Sequence, residues 1–398
     1  MTEAEQNHSV ERIQEWVDSH RDELKRYLIE LVEIETPTEN PETFDGFFDR
    51  LAEDLEAAGL ETDRVHGDET GGRLEAWTER DEQEETQLIV GHADTVWPLG
   101  TVEDNPPEVR EDVLEGPGSL DMKGGLTQAV FALRALDELG LEPSVPVHLI
   151  FSSDEEVGSP ESKPRIVELA KSANRVFVLE PASGPEGKIK IARKSVGHFT
   201  VEIEGKAAHA GLEPEEGASA TQELGNVIHS LHELTDVDSG VTVNVGEVEA
   251  GLRSNVVAPE AKAEVDVRAP TKEAAEDVEE RVRSVEATTP GTELSVEGGF
   301  GRPPMEQTPG SRLLWERVKE MGRRLGVNLE GTRSGGASDG NDASQHAPTV
   351  DGFGAVGDGA HQEYEYVDLD ALADRTELLA ACLLEEPLPE DPRQELKA

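Results

Sequence analysis

Short apolar runs, separated by longer segments with helical spacing, dominate the first half of the chain. Three continuous runs, at 88–90, 145–151 and 175–179, are typical of parallel strands that are buried on both faces. Apolar spacing predicts further helices over 10–31, 44–59, 126–139, 312–325 and 369–384, and further strands over 60–65 and 73–77. Strands that alternate with covering helices indicate an α/β catalytic domain with a mainly parallel central sheet.

From about Arg193 the pattern changes to a shorter unit of strand, helix, strand, strand, helix and strand. These elements are predicted over 198–205, 218–234, 241–249, 261–268, 272–287 and 292–298. This order is typical of a ferredoxin-like α+β domain, and the alternation at 241–249 favours a sheet with one solvent face. We therefore expect a catalytic domain in two parts, 1–192 and 304–398, with an inserted domain at 193–303 and a polar C-terminal tail.

The charge is unusual for a chain of 398 residues. The formal net charge is -50, from 86 acidic and 36 basic residues spread along the sequence. Such an excess argues against binding nucleic acid. Self-repulsion of this size is screened at molar salt, where the Debye length is about 3 Å, so we expect a halophilic protein from a salt-loaded cytoplasm. A merely acidic mesophilic protein is the alternative, although few aromatic residues and little Lys relative to Arg favour the first interpretation.

The remaining composition indicates a cytoplasmic protein that contacts no membrane. Cys382 is the single cysteine, so no disulfide can form within the chain, and its apolar helical surroundings favour a packing role. The segment 1–10 is polar without the apolar region of a signal peptide, and no run approaches the length of a membrane span.

Acidic residues follow each of the three predicted buried strands, and a histidine follows the first. His92 and Asp94 follow the first run, Glu155 and Glu156 the second, and Glu180 the third. Because ligands bind beyond the carboxyl ends of strands in open α/β sheets, these side chains could share one metal site. Of the adjacent residues Glu155 and Glu156, one could bind a metal ion while the other transfers a proton. Taken alone, the His-x-Asp triplet could equally be a capped strand end.

Two later positions add candidate ligands. Asp121 lies in a turn-rich loop, with the sequence D-M-K-G-G at 121–125, that opens the helix predicted over 126–139. An acid at such a position is by itself usually a helix cap. His361 ends the sequence G-D-G-A-H at 357–361.

In this order, the motifs H-x-D, D-M-K-G-G, D-E-E-x-G-S, L-E-P and G-x-G-x-H resemble those of the co-catalytic zinc peptidases. That family includes glutamate carboxypeptidases, acetylornithine deacetylases, succinyl-diaminopimelate desuccinylases and aminoacylases, and the resemblance covers nearly the whole chain. The matching residues are His92, Asp94, Asp121, Glu155, Glu156, Glu180 and His361.

The resemblance implies two Zn²⁺ ions, with Co²⁺ or Mn²⁺ as possible substitutes. Asp121 would bridge them, His92 and Glu180 would complete one site, and Glu156 and His361 the other. Two zinc ions acidify a water and polarise a carbonyl, while three carboxylate ligands offset most of the metal charge.

Two further residues would act without binding metal. Asp94 would orient His92. Glu155 would be the general base, which takes a proton from the water and passes it to the leaving nitrogen.

In the inserted domain, the segment around His209 resembles the one whose histidine steadies the oxyanion, usually in the partner subunit's site. The resemblance therefore implies a homodimer formed through that domain. Asn255 and Arg268 resemble substrate-binding residues, with Arg268 as a fork for a carboxylate. The loop with Gly336 and Ser338 resembles a substrate-carboxylate loop, but Ala337 replaces the hydroxyl residue found in other members, so contacts there would come from the backbone.

These features predict a metal-dependent hydrolase that cleaves an amide bond next to a free carboxylate, in a small peptide or an N-acyl amino acid. The segments 94–100, 116–118 and 178–182, together with Glu180, resemble the glutamate carboxypeptidase branch. A deacylase of N-acyl amino acids, of the acetylornithine or succinyl-diaminopimelate type, shares every metal position and remains an alternative. A noncatalytic binding member of the same fold is a more remote one, since all metal and base residues are present.

Overall fold

The computed structural model describes residues 3–79 and 85–390. The chain divides into two compact units. Unit 1 comprises 1–192, 307–334 and 338–398, and unit 2 comprises 193–306 and 335–337. The predicted polar tail falls largely on 391–398, outside the described residues.

The regular elements of the described chain are numbered in sequence order. The strands are β1 (Glu61–Val65), β2 (Arg73–Trp77), β3 (Thr86–His92), β4 (Glu108–Arg110), β5 (Val113–Glu115), β6 (Val147–Ser152), β7 (Ala173–Val178), β8 (Ile189–Arg193), β9 (Ser195–Glu204), β10 (Thr242–Ala250), β11 (Glu260–Ala269), β12 (Glu293–Arg302), β13 (Gly331–Ser334), β14 (Thr349–Val350), β15 (Gly357–Asp358) and β16 (Tyr366–Asp368). The helices are α1 (Glu3–Glu33), α2 (Phe44–Ala57), α3 (Thr101–Asp104), α4 (Gly124–Leu139), α5 (Lys163–Lys171), α6 (Ala220–His232), α7 (Lys272–Arg283), α8 (Pro309–Arg324), α9 (Asp339–Ala343) and α10 (Leu369–Leu383).

The central sheet of unit 1 has the strand order β1-β2-β6-β3-β7-β14. β3 runs parallel to β6 and β7, and β14 runs parallel to β7, whereas β1 and β2 form an antiparallel edge. The predicted α/β fold with a mainly parallel central sheet is therefore confirmed. Parallel pairing brings the carboxyl ends of β3, β6 and β7 to one edge of the sheet.

Burial of this sheet on both faces explains its continuous apolar runs. Ile89 of β3 packs into the large core formed with α1, α2, α4, α8 and α10. Leu88 and Val90, on the opposite side of the same strand, pack into a second core with α5 and α9. Successive strand side chains point to opposite faces, so a strand covered twice needs an apolar residue at every position.

Two small sheets complete unit 1, and neither was predicted from the sequence. One has the order β15-β16-β5-β4, and the other pairs β13 with β8. In the first, β16 pairs antiparallel with β5, with Tyr366 opposite Glu115. This register brings the segment after His361 alongside the loop that leads to Asp121.

Unit 2 is a four-stranded antiparallel sheet of order β10-β11-β9-β12, with α6 and α7 on one face. Together with the chain order of its elements, this is the predicted ferredoxin-like arrangement. Phe199, Val201 and Ile203 of β9 enter the core, while the residues between them face away. The clean alternation expected along 241–249 stops early, because the register of β10 shifts between Val245 and Glu247 and leaves Val248 exposed.

Among the described residues, no helix combines the length and the apolar character that crossing a membrane requires. Cys382 is buried in α10 as a free thiol, and burial raises the pKa of this thiol well above its usual value. The packing role predicted for it agrees with this environment.

Candidate active site

The three strand ends deliver candidate ligands to the same edge of the central sheet. His92 is the last residue of β3, Glu156 follows β6 in a short helical turn, and Glu180 lies two residues beyond β7. Asp121 precedes α4 in an irregular turn, with an extended backbone at φ -113° and ψ 94°.

The two glycines of D-M-K-G-G explain how α4 can begin so close to these strand ends. A Cβ atom on Gly125 would lie 2.3 Å from the carbonyl oxygen of Leu179, the residue before Glu180. A side chain at this position would therefore separate the Asp121 turn from the end of β7.

One cluster joins His92, Asp121 and Glu180. The His92 Nε2 atom lies 3.3 Å from Asp121 Oδ1 and 3.4 Å from Glu180 Oε1. Lys190 adds a nearby cation, with its Nζ 3.9 Å from Glu180 Oε2. The imidazole of His92 is buried, so these carboxylates surround a nitrogen shielded from solvent.

A second cluster joins Asp121, Glu156 and His361. The His361 Nε2 atom lies 3.4 Å from both Asp121 Oδ2 and Glu156 Oε1. The side chain of His361 is 47% exposed, and its backbone has a positive φ of 63°. Asp121 thus offers one oxygen to each cluster, which is the geometry of a bridging carboxylate.

Asp94 contacts a residue of each cluster. It is fully buried, and its Oδ1 lies 3.4 Å from His92 Nδ1 while the ring nitrogen also faces the Asp94 carbonyl at 3.0 Å. The backbone N–H groups of Glu155 and Glu156 donate to the two carboxylate oxygens, and the Thr38 hydroxyl donates to Oδ2. Asp94 therefore contacts both the imidazole of His92 and the backbone of the turn after β6.

The carboxylates and imidazoles of the clusters shift each other's pKa values. The nearby carboxylates of Asp121 and Glu156 raise the pKa of His361 to about 10. Burial acts to lower the pKa of His92, but the surrounding carboxylates of Asp121, Asp94 and Glu180 outweigh burial and leave this pKa well above its usual value. Burial likewise acts to raise the pKa of Asp121, yet the two imidazoles hold it below its usual range.

The donor atoms fit a pair of divalent metal ions. In each cluster the potential ligand atoms lie within 4.8 Å of one another. Asp121 Oδ1 and Glu156 Oε1 are buried and find no donor in hydrogen-bonding geometry among the described residues. Buried acceptors left in this way need a cation or another partner, and imidazole with carboxylate is a ligand set that zinc accepts.

Glu155 occupies a different position from Glu156, although the two are adjacent. Within residues 3–79 and 85–390, neither of the two clusters of possible metal ligands includes Glu155. The side chain of Glu155 is half-buried in the same turn as Glu156. Glu156 thus belongs to a cluster and Glu155 does not, and their division into a metal ligand and a proton carrier stays a prediction.

His209 and Asn255 lie on neighbouring segments of unit 2. His209 pairs with Val256 in a short bridge, and the backbone N–H of Ala210 donates to the carbonyl of Asn255. The N–H groups of Gly211 and Leu212 both donate to Nδ1 of His209 at 3.1 Å. Because Nδ1 is the acceptor, the neutral ring carries its proton on Nε2 and can donate it to an oxygen.

Arg268 and Gly336 also belong to unit 2. The Arg268 guanidinium forms a two-pronged ion pair with Asp266 on the same strand, with Nε and Nη2 each 2.8 Å from a carboxylate oxygen. Gly336 is exposed, and its carbonyl accepts a hydrogen bond from Arg193. Arg268 thus has a carboxylate partner inside the protein, which the sequence analysis did not anticipate.

Ser338, in unit 1, is engaged within the fold. It is buried, its hydroxyl accepts the N–H of Gly340 as the cap of α9, and the same hydroxyl donates to Asp351. These bonds favour a structural role for the hydroxyl, whereas Ser338 was predicted to bind substrate.

Sequence reasoning missed a buried carboxylate beside the clusters. Glu365 accepts the backbone N–H of Asp121 at 2.9 Å, and burial raises its pKa to about 7. Its only sequence signal is its position four residues after His361, which by itself predicts no contact.

Together, the fold and the paired clusters define a metal-dependent hydrolase. A sequence profile described as Peptidase family M20/M25/M40 matches residues 88–385, and the chain belongs to this family. The family predicted from the motifs is therefore confirmed.

Individual relatives agree with this assignment. The chain is 30% identical over 375 residues to carboxypeptidase G2 of Pseudomonas sp. strain RS-16, across 90% of this chain and 88% of that protein. Its fold is similar to that of aminopeptidase PepT from Bacillus cereus, with a TM-score of 0.77 and 24% identity across 92% and 98% of the two chains. It is also similar to the YXEP protein of Bacillus subtilis, described as a dinuclear metal-binding M20 peptidase, with a TM-score of 0.70 and 17% identity across 92% and 98%.

Proposed function

We propose that this chain is a dizinc carboxypeptidase, which cleaves the amide bond next to a free carboxylate such as a C-terminal glutamate. The observation that carries the proposal is the pair of clusters sharing Asp121, with Glu155 on the adjoining turn. The relative named carboxypeptidase G2, 30% identical over 90% of this chain, supports this substrate class over that of an aminopeptidase. In the proposed site, His92, Asp121 and Glu180 hold one ion and Asp121, Glu156 and His361 hold the other.

The bound ions would supply Lewis acidity toward the scissile carbonyl and toward a water molecule. Glu155 takes the proton from that water as the water oxygen bonds to the carbonyl carbon. The same carboxyl group then gives its proton to the leaving nitrogen as the carbon–nitrogen bond breaks. Asp94 holds the Glu155 backbone N–H at 3.2 Å and so fixes the turn from which this base acts.

Two residues of unit 2 contribute binding in this proposal. His209 donates a hydrogen bond from its Nε2–H to the developing oxyanion, because its Nδ1 already accepts two backbone N–H groups. In a homodimer formed through unit 2, that donation is made to the site of the partner subunit. The guanidinium of Arg268 binds the substrate carboxylate. It either exchanges its partner Asp266 for the substrate or contacts both carboxylates.

Matched substrates test the proposed substrate class. The purified protein, stripped with a chelator and reloaded with Zn²⁺, Co²⁺ or Mn²⁺, is assayed on N-acylated peptides that end in glutamate. The same peptides with a C-terminal amide, peptides with a free amino terminus and a blocked carboxyl terminus, and N-acetylornithine and N-succinyl-diaminopimelate serve as comparisons.

We expect kcat/KM to be highest for the peptides with a free C-terminal glutamate. For the same peptides with a C-terminal amide, kcat/KM should be much lower. A preference for N-acetylornithine or N-succinyl-diaminopimelate would replace this proposal with a deacylase. A preference for peptides with a free amino terminus would replace it with an aminopeptidase. Binding of metal without hydrolysis of any of these substrates would favour a noncatalytic member.

A further inference from the structure

Glu365 connects three stretches of chain that carry candidate metal ligands. It is 1% exposed, and its Oε1 accepts the backbone N–H groups of Leu120 at 2.8 Å and Asp121 at 2.9 Å. Its Oε2 accepts the N–H of Gly118 and the indole N–H of Trp97, both at 2.9 Å. Trp97 follows Asp94 by three residues.

The local fold fixes Glu365 in this position. β16 begins at the next residue and pairs with β5, so Glu365 lies opposite Gly116, whose N–H donates to the Glu365 carbonyl at 3.0 Å. The chain then turns at Gly118, where φ is 68° and a Cβ atom would lie 2.6 Å from Thr95 Cγ2. Glycine at 118 thus lets the turn close against the β3 extension with its N–H groups directed at one carboxylate.

This arrangement differs from an ordinary helix cap. Three of the four donors to Glu365 are backbone N–H groups of the 118–121 turn, which ends at the candidate ligand Asp121, so the carboxylate restrains the backbone that aims Asp121 between the two clusters. Hydrogen bonds to a carboxylate are about twice as strong as neutral ones, and the site is shielded from water. Without them, the buried N–H groups of Leu120 and Asp121 would have to move to find other partners.

We propose that Glu365 is a positioning residue for the two-metal site, which sets the orientation of Asp121 by holding the backbone of the 118–121 turn. Because Asp121 offers one oxygen to each cluster, its displacement would weaken the binding of both metal ions together. The inference rests on the proposed two-metal function and adds to it a residue that touches neither metal nor substrate.

Glu35 provides a matched control. Its half-buried carboxylate also accepts two backbone N–H groups, from Gly100 at 2.8 Å and Val102 at 2.9 Å, but neither donor is a ligand or precedes one. Glu365→Gln and Glu35→Gln therefore remove the same kind of interaction from neighbouring loops. A purely structural contribution would lower thermal stability in both variants and change metal binding in neither.

The experiment compares wild type, Glu365→Gln and Glu35→Gln in the metal-free and Co²⁺-loaded forms. Residue-resolved hydrogen exchange of the metal-free proteins reports the Leu120 and Asp121 amides, and Co²⁺ titration gives the affinity and the visible spectrum. In Glu365→Gln we expect the amide hydrogens of Leu120 and Asp121 to exchange faster. We also expect Co²⁺ to bind about 10–100-fold more weakly, with a changed visible spectrum of the bound ion. Glu35→Gln should keep wild-type affinity and spectrum.

Unchanged exchange and Co²⁺ affinity in Glu365→Gln would overturn the positioning role, as would an equal loss of affinity in Glu35→Gln. If Glu365→Gln does not fold, Glu365→Asp keeps the charge but is one methylene too short to reach all its donors, and wild-type Co²⁺ affinity in that variant would overturn the role as well. Wild-type protein that binds no divalent ion would contradict the proposed function, whereas the exchange rates would still decide whether Glu365 holds the turn.

Discussion

The buried carboxylate of Asp94 accepts the backbone N–H of Glu156 through Oδ2, at 3.1 Å. Its Oδ1 accepts the N–H of Glu155 at 3.2 Å and lies 3.4 Å from Nδ1 of His92. One side chain therefore links the ligand at the end of β3 to the turn that carries a second ligand and the proposed base. Orientation of His92, the role expected for Asp94, accounts for only one of these contacts. The other holds the backbone N–H groups of the turn after β6.

Asp94→Asn should consequently disturb both candidate metal sites. An amide has one acceptor oxygen, so its NH₂ group would face an N–H donor or the imidazole. We expect metal affinity to fall about 10–100-fold, measured by titration of the metal-free protein. Thr38→Val, which removes a hydroxyl donor to the same carboxylate, is the control and should bind metal like wild type. Wild-type affinity in Asp94→Asn would show that the carboxylate is dispensable.

Glu155→Gln should lower the turnover number without lowering the metal content. The amide cannot accept a proton, so we expect kcat to fall about 10²–10⁴-fold, while metal analysis still finds two ions per chain. Glu156→Gln is the paired variant and should lose the ion held with His361. Loss of metal from Glu155→Gln, with retention in Glu156→Gln, would mean that the two roles are exchanged.

Arg268→Lys should reduce the cleavage of free acids much more than that of the corresponding amides. A guanidinium binds a carboxylate with two parallel hydrogen bonds, and an ammonium group cannot reproduce them. Asp266→Asn removes the internal partner but keeps the guanidinium, so it should preserve the preference for acids. Equal losses for acids and amides in Arg268→Lys would assign Arg268 to the Asp266 ion pair alone.

Salt should control both activity and compactness, because the formal net charge is -50. At about 10 mM salt the Debye length is about 30 Å, so repulsion between acidic groups acts across much of the protein. We expect dialysis from molar salt to this concentration to expand or inactivate the protein, as measured by scattering, circular dichroism and activity. Full activity and an unchanged spectrum after dialysis would contradict the halophilic interpretation.

The central sheet was predictable because burial leaves a local pattern. Ile89 faces one core while Leu88 and Val90 face the other, so the run at 88–90 must be continuously apolar. β15, at Gly357–Asp358, is two residues long and depends on pairing with β16. A strand this short has no periodicity, and its sequence therefore does not reveal it.

The same contrast applies to the candidate site. The acids after β3, β6 and β7 could be grouped in advance, because parallel strands carry their ends to one edge. Glu365 could not, since three of its four donors are backbone N–H groups 244 to 247 positions earlier, which have no side-chain signature. The pairing of Asp266 with Arg268 was within reach, because residues two apart on a strand share a face.

The remaining prediction concerns His209, which we propose acts on the site of the partner subunit. Two inactive variants, His209→Ala and Glu155→Gln, should then restore activity when mixed after reversible dissociation. In the heterodimer, the chain with an intact Glu155 receives an intact His209 from its partner, while the other site lacks both groups. About half of a random mixture is heterodimer with one working site of two, so we expect about a quarter of wild-type activity under twofold symmetry.

The structural reason for testing His209 is its tautomer. Gly211 and Leu212 donate to Nδ1, which leaves the Nε2 proton for an oxyanion, so His209→Ala should reduce kcat more than it raises KM. Heterodimers are verified by mass, and mixing His209→Ala with wild type controls for losses on dissociation. If His209 acts within its own chain, every site of the heterodimer still lacks one group. Activity of verified heterodimers at the background of the two parents would therefore exclude action in the partner's site.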